Sequence, residues 1–251
     1  MLRFILVVAC LFIFLACQKK SELTETERKR SGVLLKFSAS NDGADILPSV
    51  TYNNPFNESY SISSFRLYIH NISLISSSPV PAVQDHYLLD LVPDSNSGIR
   101  LSFPSGNYTG VRFTVGVDSV RNFSGAQTGA LDPANGMFWT WNSGYIMAKL
   151  EGNSNAAGTP DNKFEYHIGG YRAGQSVGRK IELSFPNGPI DFADDSPYTI
   201  HVKANLDKWF NGDWPLQIAE HPVITTPGEL AIKVANNYQH MFSVISVTNM
   251  E

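Results

Sequence analysis

The sequence predicts an all-β protein, an antiparallel β-sandwich with one or two short helices near its C-terminus. Short stretches of alternating or continuous apolar residues recur along the whole chain. Gly, Pro, Asn and Asp bound them, the punctuation of strands joined by turns. Helical spacing appears clearly in one stretch only, close to the C-terminus.

The first element stands outside that sandwich. Met1-Leu2-Arg3 is a short basic start and Phe4 to Ala16 is an unbroken apolar run. The run is short for a bilayer span and reads as a signal peptide. It closes on Phe14-Leu15-Ala16-Cys17, which resembles a bacterial lipobox and implies cleavage before Cys17 and lipidation of its thiol. The expected organisation is therefore a signal over 1–16, a flexible tether over 17–32 and a single β domain over 33–251. The run QKKSELTETERKR (18–30) suits a solvated tether. The expected place is the cell envelope of a bacterium, lipid-anchored, periplasmic or surface-exposed.

Strands are expected over Val33–Ala39, Ile62–Ile75, Tyr87–Val92, Ile99–Phe103 and Tyr108–Val117. Others follow over Tyr145–Glu151, Phe164–Ile168, Lys180–Phe185, Tyr198–Leu206 and Met241–Thr248. In FRLYIHNISLI, Phe65, Leu67 and Ile69 share one parity and Ile72 and Leu74 the other, so a β-bulge is expected near His70–Asn71. Trp139 and Trp141 share a face, and a second bulge at Asn142-Ser143-Gly144 would bring Ile146, Ala148 and Leu150 onto it. Gly228–Tyr238 reads as a helix, with Leu230, Val234 and Tyr238 at helical spacing. A shorter turn of helix is expected at Asp207–Asn211.

Composition removes several classes of function. Of two cysteines, Cys10 leaves with the signal and Cys17 carries the lipid. No thiol remains for zinc, iron–sulfur clusters or nucleophilic catalysis. A net charge of −4 without a basic stripe argues against nucleic acid. No Gly-x-Ser-x-Gly elbow and no phosphate-cradling glycine loop is present, and the chain is expected not to be an enzyme. The sequons at Asn57, Asn71, Asn107 and Asn122 read as turn and strand chemistry.

What remains is metal or ligand binding. Trp139 and Trp141 are core aromatics, a sugar-stacking pair, or participants in electron chemistry. Met137 and Met147 place soft thioether sulfur nearby, which suits cuprous copper. The six histidines are His70, His86, His167, His201, His221 and His240. None forms a local pair at metal-binding spacing, so a site would have to assemble from distant strands. His70 and His86 each border a turn, and His201 shares the solvent parity of Thr199 and Lys203. His167 is followed by Gly169-Gly170, which keeps its surroundings open. Asp118, Asn122, Asp132 and Asn135 supply hard oxygens in a Gly-rich loop, either a calcium site or a set of caps and Asx turns.

The stretches GVDSVRN, TGALDPANGMFWTWNSGYIMAKLEG and FEYHIGGY resemble the MbnP-like family of periplasmic copper-binding proteins, associated with the copper chelator methanobactin. FRLYIHNISLI and VANNYQHMF echo it more weakly, and together the resemblance runs from about Val33 to Val247. It implies an exported β-sandwich that binds copper. It also implies a di-haem MauG-like peroxidase partner that oxidises a tryptophan to kynurenine. Carried to this chain, Trp139 or Trp141 is the residue oxidised and His167 the leading copper ligand, with His221 and Met137 as further candidates. Asp118, Asn122 and Asp132 become the candidate calcium site. The competing expectation is a carbohydrate- or protein-binding surface lipoprotein that uses Trp139, Trp141, Trp209 and Trp214.

Overall fold

The computed structural model describes residues 29–92, 98–141 and 144–250. The signal, Cys17, nearly all of the tether and the Asn142-Ser143 part of the expected bulge lie outside these residues. The strands in chain order are β1 (Arg30–Asn41), β2 (Ala44–Asp45), β3 (Thr51–Asn53), β4 (Ser59–Ile75), β5 (Tyr87–Asp90), β6 (Gly98–Pro104), β7 (Gly106–Tyr108) and β8 (Gly110–Val115). They continue as β9 (Phe138–Trp139), β10 (Gly144–Asn153), β11 (Lys163–Gly169), β12 (Arg179–Ser184), β13 (Ile190–Phe192), β14 (Tyr198–Asn205), β15 (Val223–Ile224) and β16 (Phe242–Asn249). The helices are α1 (Ser119–Phe123), α2 (Asp207–Phe210) and α3 (Glu229–Tyr238).

Two sheets face each other. The smaller runs β16-β14-β1-β2, with β6 also on β1; the larger runs β12-β8-β4-β10-β11-β15 and carries β3, β5 and β9. Alternation decides which side of each strand is dry. In β1, Val33, Leu35, Phe37 and Ala39 are buried; in β14, Tyr198, Ile200, Val202 and Ala204 are. Between the sheets, Phe37 meets Phe113 edge-on at 5.6 Å, and Phe113 meets Phe242 at 5.3 Å. Helix α3 adds buried Ala231, Val234 and Tyr238 to this core, Tyr238 lying 5.7 Å from Trp209.

The sheets are mixed rather than purely antiparallel, which corrects the sequence expectation. β1 pairs with β14 in parallel, and β11 with β15. Between β1 and β14 the chain passes through every strand of the larger sheet except β15, and so long a crossover permits a parallel return.

The expected bulge in β4 is present. Pairing with β8 shifts between His70 and Ser73, and Asn71 has φ 55°. Ile69 and Ile72 consequently both reach the inner core. In β10 the irregularity against β11 lies between Ile146 and Ala148. It sends Met147 and Ala148 inward and leaves Tyr145 and Ile146 on the outer face.

That outer face bears a second apolar cluster of Tyr68, Val117, Leu131, Met137, Trp139, Tyr145 and Ile146. Residues 116–139 roof it. Tyr68 Oη donates to Ala130 O at 3.0 Å, and Tyr145 Oη to Leu131 O at 2.8 Å. Buried hydroxyls that find carbonyls in this way pin the roof to the sheet.

Candidate metal centre

The edges of β4 explain how the site is built. Arg66 pairs with both Asp90 of β5 and Lys149 of β10. Ile69 pairs with both Tyr87 of β5 and Val115 of β8. So β5 holds one edge, while β10 and β8 share the other and part beside Tyr68 and Ile69. Leu67 and Ile69 point into the core, so Tyr68 and His70 point outward. Extending the register Ile69↔Tyr87 by one residue sets His86 directly across from His70.

The two imidazoles stack, with centroids 4.6 Å apart and planes 9° from parallel. His70 Nδ1 lies 3.0 Å from Gly116 O. A carbonyl accepts only, so Nδ1 carries the proton and Nε2 keeps a lone pair. His86 Nε2 lies 3.1 Å from Asp118 Oδ2. It lacks the alignment of a hydrogen bond, and this buried nitrogen has no hydrogen-bond partner. Burial pushes the His70 pKa below its ordinary value. Burial, and then the neighbouring His70, push His86 down to about 4. Both rings are therefore neutral near pH 7, the form that ligates metal. Asp118 Oδ1 accepts from Arg121 N at 2.9 Å and caps α1, leaving Oδ2 for the histidines. Donor atoms of His70, His86 and Asp118 lie within 4.8 Å of one another. Two imidazole nitrogens and one carboxylate suit copper or zinc.

A second group on the same outer face joins Glu151, Glu165 and His167. His167 Nε2 is 2.6 Å from Glu151 Oε1, and Lys149 Nζ is 3.0 Å from the same oxygen. Burial pushes the Glu151 carboxyl up, but its bonds to His167 and Lys149 outweigh that and hold it below its ordinary value. Within this group Glu151 and His167 are already paired with each other.

The expected copper set of His167, His221 and Met137 is not brought together. His167 is paired with Glu151. His221 packs at 5.3 Å from Trp214. Met137 is fully buried in the aromatic cluster. The expected calcium set is likewise not gathered, since Asp118 groups with His70 and His86 and not with Asp132. Asp118 is a cap facing His86, and Asp132 Oδ1 caps a 3-10 turn through Ala134 N at 2.8 Å. Asn122, 1% exposed, donates to Val117 O and Asp118 O and accepts from Tyr145 N. His201 does face outward, but it is half-buried and bonded to Ser38 Oγ at 2.8 Å.

The tryptophans do not form an open platform. Trp209 and Trp139 are buried, whereas Trp141 is 63% exposed. Trp139 and Trp141 sit 5.5 Å apart and tilted by 43°. They border a cleft of about 290 Å³ with Tyr171, Arg172, Gln175 and Pro227. Trp139 lies over Gly169, where a Cβ would come within 2.5 Å of the indole.

The family model described as MbnP matches residues 30–227. The chain belongs to the MbnP family. A solved structure described as MbnP from Methylosinus trichosporium has the same fold at a TM-score of 0.55. The two chains are 16% identical, and the match covers 89% of this chain and 100% of that one. None of the curated proteins matches. Within this MbnP-family chain, the sequence reading missed His70 and His86. Their signal was a register rather than a motif: the antiparallel pairing of FRLYIH with HYLLD places the two histidines opposite each other.

Proposed function

We propose that this MbnP-family chain is an exported, membrane-tethered copper-binding protein whose metal is held by His70, His86 and Asp118. The observation that carries the reading is the buried stack of two neutral imidazoles, one with its tautomer fixed by Gly116 O and the other with its Nε2 facing Asp118 Oδ2 at 3.1 Å without an aligned hydrogen bond. A metal there would bind a ring nitrogen of each imidazole and a carboxylate oxygen of Asp118. His70, His86 and Asp118 would hold it; the roof over 116–139 would keep water from it. Copper in this setting would supply a bound, sequestered ion, and the chain itself binds rather than turns over a substrate.

The family resemblance supplies the rest of the proposal. A di-haem MauG-like peroxidase would oxidise a tryptophan to kynurenine, whose aniline nitrogen and ketone can ligate copper. Trp139 is the better placed of the pair. It belongs to the cluster built on Tyr68 and Val117, the sequence neighbours of His70 and Asp118 on the same face. The lipobox at Ala16-Cys17 supports attachment to the bacterial cell envelope.

Protein isolated from its native host tests this. Bound copper by elemental analysis, together with a kynurenine mass at Trp139 in its tryptic peptide, is the expected result. Copper-free protein with unmodified tryptophan from the same source contradicts it.

A further inference from the structure

We infer, resting on the copper-binding reading of this site, that metal held by His70 and His86 fastens helix α1 through Asp118, so that occupancy is expressed at the exposed apolar tip of that helix. Asp118 divides its carboxylate between two tasks. Oδ1 accepts from Arg121 N at 2.9 Å and caps α1; Oδ2 lies 3.1 Å from His86 Nε2. The side chain is 35% exposed, and its Oδ2 makes no aligned hydrogen bond with His86. Without metal, the cap must order this carboxylate alone. With metal on Oδ2, the rotamer is already fixed and Oδ1 stays aimed at Arg121 N. The ordering cost of the cap is then met by metal binding.

The helix so fastened is short and depends on its cap. It spans five residues, too few to persist by propagation of its own hydrogen bonds. Its outer side carries Val120, 71% exposed, and Phe123, 84% exposed, the most exposed large apolar side chains among the described residues. Its inner side carries Asn122, whose amide ties it to Val117 O and whose oxygen accepts from Tyr145 N. Tyr145 follows Gly144, the strand partner of Trp139. One helix thus joins the metal centre, the tryptophan strand and an apolar surface. By linkage the effect runs both ways: a contact that holds α1 in place also strengthens the grip on the metal.

Amide hydrogen exchange over residues 118–125 of the full chain tests the coupling. It is measured without metal, with Cu²⁺ and with Zn²⁺, while bound metal is counted by elemental analysis. The expected result is exchange slowed roughly five- to tenfold in the metal-bound wild type, about what one N-cap contributes to a helix end. Asp118→Asn keeps a capping side chain but lacks the charge. Its metal-free exchange should match wild type and should not respond to metal. His86→Ala should behave likewise, with α1 intact. Stoichiometric metal on the wild type with unchanged α1 exchange overturns the coupling and leaves the copper reading standing. A well-folded wild type that takes up neither ion overturns both.

Discussion

A single backbone oxygen, Gly116 O, decides the tautomer of His70; it lies one residue past β8, where Gly116 N donates to Tyr68 O of β4 at 2.8 Å. Gly116 has φ 120°, and a Cβ there would meet Met147 Sδ at 2.8 Å. The residue is glycine for backbone and packing reasons together. The histidines make the site sensitive to acid. The His86 pKa falls to about 4 in the fold against an ordinary value of 6.5, and His70 shifts the same way. Lowered values mean that the unfolded chain binds more protons. The contribution to stability is complete above pH 6.5 and is lost as pH falls towards 4. Chemical denaturation from pH 7.5 to 4 should show this loss, and His70→Ala/His86→Ala should flatten it. Asn122 is a second residue whose role is plain in its bonds. Asn122→Ala removes three hydrogen bonds and strands the Tyr145 N–H, and should cost about 2–4 kcal/mol by urea unfolding.

At the scale of elements, most strands were readable because one face of each is dry. Val33, Leu35, Phe37 and Ala39 announce β1 and its inward side, and the change of parity after Ile69 announces the bulge in β4. Helix α3 showed the period of a helix lying on a sheet. The short helix α1 did not show. It is held by a cap and a buried amide rather than by an apolar stripe, and five residues carry no period. The metal centre was hidden for a related reason. His70 and His86 are sixteen positions apart, and only the register of β4 with β5 puts them opposite. His167 attracted notice for the glycines after it, yet Gly169 serves another residue. It makes room for the Trp139 indole, and Gly169→Ala should cost about 1–3 kcal/mol through overpacking and displace Trp139. Near-ultraviolet circular dichroism and thermal unfolding would report both; an unchanged indole signal would contradict this packing.

For the whole molecule, the inner core between the sheets maintains the fold, and the outer face of the larger sheet carries the chemistry. His70, Tyr68, Tyr145, Lys149, Glu151 and His167 all stand on that face, and the segment 116–139 covers its central part. This arrangement separates stability from function. Changes beneath the roof should alter metal binding while leaving the sandwich folded. The measurement that tests the account most directly is a copper titration of the full chain, with bound metal read by elemental analysis, in wild type, His70→Ala/His86→Ala and His167→Ala. The account predicts one equivalent of copper on wild type and on His167→Ala, and none on the folded double variant. Copper retained by the double variant and lost from His167→Ala would place the metal with Glu151 and Glu165 instead, and would contradict it.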